Sequence, residues 1–289
     1  LKLFAISDLH LDFKVNRNAL SEIPEMKDSG LITGGDLCTS LDHLRHALDV
    51  LCPKFARVFW VPGNHELWSS KQDHSQEMLR GMEKYMALIN VCREYGVLTP
   101  EDPFHSWPSQ DGPVVIAPLF IPYDYSFRPD DVSLEGAVDW AMEGGVLCSD
   151  ERLIDPSPFP SMIEWCEQRY QYSIERLDAL APDTPLVLVN HFPFRQDLVR
   201  IRRIPRFSIW CGTKRTEALH QRYNVQTVVS GHLHMRVTDY RDGVRFEEVS
   251  LGYPRDWDQG KGMNYYFREI IPGPAPPPEG NIGPFWRFF

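Results

Sequence analysis

Residues 226–234 read Gln226-Thr227-Val228-Val229-Ser230-Gly231-His232-Leu233-His234. A short β-branched run that stops at a glycine and is followed by two imidazoles describes a buried strand delivering polar groups at its carboxyl end. Four other stretches have the same form. Lys2 to Ser7 ends in Asp8 and His10, and Leu31 to Thr33 ends in Gly34-Gly35-Asp36. Arg57 to Val61 ends in Pro62-Gly63-Asn64-His65, and Pro185 to Val189 ends in Asn190-His191. Helical patterns at roughly 39–51, 71–94, 162–180 and 214–222 lie between them. Strands alternating with helices predict an α/β core with parallel strands.

In an open α/β sheet, functional groups gather where the loops converge beyond the carboxyl ends of the strands. Here the candidate groups are Asp8, His10, Asp36, Asn64, His65, His191, His232 and His234, which are two Asp, one Asn and five His. Taken singly, each has an ordinary explanation: an Asp after a strand is usually a helix cap, and a lone His is usually structural. Five coincident strand ends are another matter. Imidazole, carboxylate and amide oxygen together suit Mn, Fe, Zn or Ni far better than Ca. The set exceeds the needs of one metal. Two ions sharing a bridging carboxylate would use all but one of the groups and leave one His for acid–base work.

The ordered blocks Asp8-x-His10, Gly35-Asp36, Gly63-Asn64-His65-Glu66, His191 and Gly231-His232-x-His234 resemble the calcineurin-like metallophosphoesterase family. The resemblance implies a four-layer αββα sandwich, two mixed β-sheets flanked by helices. It implies that Asp8, His10, Asp36 and His234 hold one divalent ion. Asp36, Asn64, His191 and His232 would hold a second, with Asp36 bridging and Mn or Fe preferred over Zn or Ni. A hydroxide bridging two ions ~3.5–4 Å apart would attack phosphorus in line with the leaving oxygen. His65 would stand beside the phosphate as general acid, and Glu66 would orient it through a hydrogen bond. Gly63 and Gly231 would bring the ligand loops close together.

Two stretches outside these blocks, Trp210-Cys211-Gly212-Thr213 and Gly243 to Trp257, are similar to the actinobacterial phosphopantetheinyl hydrolase branch of the family. That similarity implies a phosphodiesterase that removes 4′-phosphopantetheine from holo acyl carrier protein. The blocks leave open a nucleotide, a cyclic nucleotide or a phosphoprotein as substrate. A non-catalytic scaffold is disfavoured because every expected ligand is present. Positive charge concentrates at Arg195, Arg200, Arg202, Arg203 and Arg206, directly after His191. Arg195, Arg200 and Arg203 are the expected substrate cations, since guanidinium suits phosphate and carboxylate. The competing reading is an Arg-rich loop paired to the protein's own acidic surface.

The bulk properties bound the rest. The chain has 289 residues and a net charge of -10, which argues against a general nucleic-acid binder. Its six cysteines show no CxxC pairing, so reduced, buried thiols and a cytoplasmic setting are expected. No apolar run approaches the ~20 residues that span a bilayer. The N-terminal apolar stretch is too short for a signal peptide. One domain over 1–289 is expected, with a cap-like insertion at roughly 120–180 and a Pro-rich tail at 272–289. Val244 to Val249 and Phe267 to Ile270 are both expected in the second sheet. His43 and His46 are read as a solvated helix face, His74 as a lone residue and Cys38 as a packing residue. Tyr123, Tyr125 and Trp140 are read as the insertion's own core.

Overall fold

The computed structural model describes residues 1–69, 78–278 and 280–287. Its strands are β1 (Lys2–Ile6), β2 (Met26–Thr33), β3 (Phe55–Trp60), β4 (His105–Trp107), β5 (Val114–Pro118), β6 (Leu186–Val189), β7 (Val225–Ser230), β8 (Val237–Arg241), β9 (Val244–Glu248), β10 (Arg268–Ile271) and β11 (Phe285–Trp286). They form a 4-stranded sheet of order β10-β1-β2-β3 and a 7-stranded sheet of order β11-β8-β9-β7-β6-β5-β4. In the seven-stranded sheet parallel pairs occupy the middle and antiparallel strands close both margins, and in the four-stranded sheet only β10 is antiparallel, with β3 a parallel edge, so both sheets are mixed.

Three apolar layers follow from the period of two along each strand, which sends successive side chains to opposite faces. Leu3, Ala5, Ile32, Phe59, Val187, Val189 and Val229 fill the space between the sheets. Their neighbours Ile6, Leu31, Val58 and Trp60 face helices outside the first sheet. Leu186, Leu188, Val228 and Phe246 face Cys166, Ile174 and Leu177 of the helix Met162–Asp178 outside the second. The result is the four-layer αββα sandwich.

Two of the longer helices start where a side chain receives an unpaired N–H group. Ser40 accepts from the His43 amide at 3.2 Å, and Leu41–Leu51 then buries Leu44, Ala47, Leu48 and Leu51 along one stripe. Ser161 caps Met162–Asp178 in the same way. The helix expected over 71–94 is seen as Gly81–Glu94, its first expected turns and His74 lying outside the described residues. The expected helix 214–222 is a 3-10 turn, Lys214–Thr216, and one short turn, Leu219–Arg222.

Two other expectations are revised. Phe267 to Ile270 does not join Val244 to Val249 in one sheet: β9 lies in the seven-stranded sheet, while β10 pairs antiparallel with β1 and covers the edge of the four-stranded sheet. The expected insertion divides in two. Met162–Asp178 is the crossover helix that a parallel β5–β6 pair requires, which leaves residues 119–161 as the connection between β5 and that helix. In the tail, β11 pairs with β8, and Arg287 reaches Glu247 at 2.8 Å, so Phe285 to Arg287 fold back on the body. No helix of the described residues is long and apolar enough to cross a membrane.

Phe59 is fully buried in the layer between the sheets. Phe59→Ala should cost about 3–5 kcal/mol through lost transfer energy and the cavity left behind. Urea unfolding checks this, and the midpoint should fall with little change in m.

Candidate metal centre

Every parallel strand of both sheets points its carboxyl end at the same edge, and five of these ends carry the predicted ligands. The isolated bridge Ser7–Ser250 ties β1's exit to the segment after β9, holding the two sheets together at that edge. The site backbone is unusual. Asp8, His10, Asp36, His232 and His234 all have positive φ, at 56°, 42°, 54°, 73° and 52°. Non-glycine residues held there cost of order 1–3 kcal/mol each, and they persist where surrounding structure imposes them. The left-handed turns curl each loop back so that its side chain faces the strand end.

Asp8, His10 and His234 bring ligand atoms within 4.8 Å of one another; so do Asp36, His191 and His232, and so do His10, Asp36 and His65. Asp36 lies between the groups, its Oδ2 3.4 Å from His191 Nε2 and 3.9 Å from His65 Nε2. Inward nitrogens meet in pairs: His10 Nε2 is 3.1 Å from His234 Nε2, and His232 Nδ1 is 3.3 Å from His191 Nε2. The opposite ring edges are held by oxygen. His191 Nδ1–H donates to the Gly34 carbonyl at 2.8 Å, and His234 Nδ1–H to Asp256 at 3.2 Å. Such outer bonds fix which nitrogen faces inward.

A metal fits this donor set on the structure's own terms. Imidazole lone pairs converge with two carboxylates, and Asn64 Oδ1 is buried with no hydrogen-bond partner. Buried polar atoms without partners are rare in native proteins, and a ligand ion is one standard explanation. Burial, with the neighbouring imidazoles, pushes His10 and His232 down to about 3, keeping both rings neutral. Burial acts the same way on His191 and His234, but Asp36 outweighs it at the first, and Asp256 and Asp8 at the second, so both are held up at about 10. A divalent cation bound here would displace those protons.

Close approach is built in by glycine. A Cβ on Gly63 would overlap Asp36 Oδ1, and one on Gly231 would overlap Asp8 Oδ2 and Ser7 Oγ. Asp8 is further gripped by Ser250 Oγ–H at 2.7 Å and by the His232 amide at 3.0 Å.

The expected role of Glu66 is corrected. Its carboxylate accepts the backbone N–H groups of Asp36 and Gly63 at 2.9 Å and of Leu37 at 2.7 Å. Among the described hydrogen bonds none joins it to His65. Glu66 therefore ties the loop after β2 to the loop after β3. Burial and the Asp36 charge push its pKa up to about 8. His65 is set instead by its own N–H, which donates to Asp36 Oδ1 at 2.9 Å, and by Trp68, whose ring stacks on it at 3.7 Å.

The arginine expectation also changes. Arg200 pairs bidentately with Asp239 at 2.7 Å, and Arg195 pairs with Asp197 at 2.8 Å. Both serve the protein's own carboxylates, the competing reading of that loop. Arg203 is exposed and does not line the cleft over the site. That cleft, of about 1020 Å³, is lined by His10, Asp12, Phe13, Thr39, His65, Trp68, Leu153, Tyr253, Pro254 and Arg255. Tyr253 stacks on His10 at 4.3 Å. The Arg255 side chain, 82% exposed, stands at the mouth. Ser250, Tyr253 and Asp256 reach the site because β9 runs parallel to β7. The strand pattern alone gave no sign of them. Tyr123 is buried against Phe192, in the same core cluster as Trp60 and Leu37 and not in a core of the insertion alone, and Cys38 is a buried residue bonded to the Ser40 carbonyl.

Comparison with known proteins agrees with this architecture. The model of the calcineurin-like phosphoesterase family matches residues 1–236. The chain is 43% identical to the [acyl-carrier-protein] phosphodiesterase PptH of Mycobacterium tuberculosis over 289 residues, 99% of this chain and 88% of that protein. The crystal structure of phosphopantetheinyl hydrolase PptH from the same organism superposes with a TM-score of 0.88 at 42% identity, covering 96% of this chain and 98% of that one. The chain belongs to the calcineurin-like phosphoesterase family, a family of hydrolases built around a dinuclear divalent-metal centre.

Proposed function

We propose that this protein is a metal-dependent phosphodiesterase that removes 4′-phosphopantetheine from the serine of holo acyl carrier protein. The observation that carries this reading is near-full-length similarity to an acyl-carrier-protein phosphodiesterase, at 43% identity over 99% of the chain. In this reading Asp8, His10, Asp36 and His234 hold one ion, and Asp36, Asn64, His191 and His232 hold the other. The nitrogen and oxygen donors suit Mn or Fe. When bound, the ions supply Lewis-acid activation of water and neutralise charge on the phosphoryl oxygens.

The chain's own groups do the rest. The bond between phosphorus and the serine oxygen breaks, water supplies the oxygen that joins phosphorus, and the serine alkoxide takes a proton. His65 is the donor, since it faces the cleft and is the imidazole of the cluster left over for acid–base work. The aromatic and apolar walls from Phe13, Leu153 and Tyr253 suit a pantetheine arm, whose chain is aliphatic between amides. Arg255 at the mouth suits the acidic surface of a carrier protein. Residues 119–161 act as a cap that brings Leu153 to the cleft. We place the reaction in the cytoplasm, where six free cysteines stay reduced.

Intact-mass analysis of holo acyl carrier protein incubated with manganese-loaded enzyme should show conversion to the apo form, and chelation should stop it. Unchanged carrier, in a preparation that still cleaves bis(p-nitrophenyl) phosphate, would keep the phosphodiesterase and discard this substrate. Asp36→Ala should lose both metals and all activity, because its carboxylate serves both ions. His65→Ala should keep the metals and lose about 10²–10⁴-fold in rate. Elemental analysis of both variants decides the assignment: equal metal loss would refute the role of His65. Gly63→Ala should bind metal poorly even though folded, because its Cβ would displace Asp36.

A further inference from the structure

Asp150 lies in the cap-like segment, 86 residues from Asn64 in sequence, and is 1% exposed. Its Oδ1 accepts two hydrogen bonds from the site: Asn64 Nδ2–H at 3.0 Å and Trp68 Nε1–H at 2.7 Å. Its Oδ2 is buried without a partner. Each bond fixes a planar group. With Nδ2 committed to Asp150, the Asn64 amide can present only Oδ1 as a free acceptor, and that oxygen is the buried, unpartnered one. With its N–H committed, the Trp68 ring cannot slide along the imidazole of His65, on which it stacks at 3.7 Å and 30°. The segment carrying Asp150 is anchored on both sides. The Leu153 carbonyl accepts the Ser69 amide at 2.7 Å, and Glu151 accepts Tyr125 O–H at 2.9 Å and Trp210 Nε1–H at 2.6 Å.

We infer that Asp150 is a positioning residue: through one carboxylate oxygen it orients the Asn64 amide toward the second metal and, through Trp68, the ring of His65 toward the leaving group. The inference rests on the roles proposed above for Asn64 and His65. It makes the cap part of the metal centre's support as well as part of the cleft wall. Because both bonds end on Oδ1, an amide oxygen can replace it, and the negative charge is not what the arrangement needs. Asp150→Asn should therefore preserve the geometry, whereas Asp150→Ala leaves two buried N–H groups without an acceptor.

Mn²⁺ titration by calorimetry and two substrates test this. Wild type and Asp150→Asn should bind two ions alike, and Asp150→Ala should bind the weaker ion about 10–100-fold more loosely, the usual loss when an outer partner of a ligand is removed. The ratio of holo-carrier turnover to bis(p-nitrophenyl) phosphate turnover reports His65, because a serine alkoxide needs a proton on departure and p-nitrophenolate does not. That ratio should fall about tenfold or more in Asp150→Ala and in Trp68→Phe. Trp68→Phe should keep both Mn²⁺ affinities, since Asn64 retains its acceptor. Wild-type affinities and ratio in folded Asp150→Ala would overturn the inference, as would Asp150→Asn as impaired as Asp150→Ala. Should Asp150→Ala fail to fold, an unchanged ratio in Trp68→Phe overturns the His65 half, and loosened Mn²⁺ binding in Asp150→Asn overturns the Asn64 half. The titration involves no substrate, so it stands or falls apart from the carrier-protein reading.

Discussion

The Asp36 carboxylate lies fully enclosed between imidazoles, with His191 on one side and His10 and His65 on the other. A charge this deeply buried is tolerated only when paired and hydrogen-bonded. Here the pairing is spread over several loops. Burial would raise the pKa of Asp36, but His191 and His65 outweigh it and hold the group well below the usual carboxylate range. Its backbone is fixed as firmly as its side chain. The Asp36 amide donates to Glu66, and the His65 amide donates to Asp36 Oδ1. The loops after β2 and β3 therefore cannot move apart without exposing both carboxylates.

That arrangement explains why the family's acidic residue after the histidine has a structural task here. Glu66 gathers three backbone N–H groups from two loops. A buried carboxylate receiving several backbone donors acts as a local staple. Its position in sequence, next to His65, suggested a bond to that ring. The short helix Asn64–Leu67 instead turns residue 66 inward while residue 65 faces the cleft. Neighbours on a helix do not share a face.

The two sheets contribute unequally. The four-stranded sheet supplies Asp8, His10, Asp36, Asn64 and His65, and the seven-stranded sheet supplies His191, His232 and His234. The centre therefore sits at the seam, and packing between the sheets by Ile32, Phe59, Val187 and Val229 sets the distance between the halves. Left-handed backbone at five of the proposed ligand positions is the local cost of this convergence.

Much of this was legible in the sequence. Strand ends announce themselves through apolar runs that stop at polar residues, and each ligand block is local, so its presence needs no knowledge of the fold. The alternation of strands and helices gives an α/β core, and the four-layer arrangement came only with the family resemblance. Other features depend on long-range contacts that no local pattern encodes. Ser250 and Asp256 reach the site because β9 pairs in parallel with β7, and β10 leaves its neighbours for the other sheet because β1 has an open edge. For Arg200 the sequence leaves substrate and the protein's own carboxylates as alternative partners, and Asp239, on β8, is the one that pairs with it. Asp150 carries no motif at all. Its place is decided only when residues 119–161 pack over the loop after β3, since a hydrogen bond between residues so far apart in the chain is set by packing.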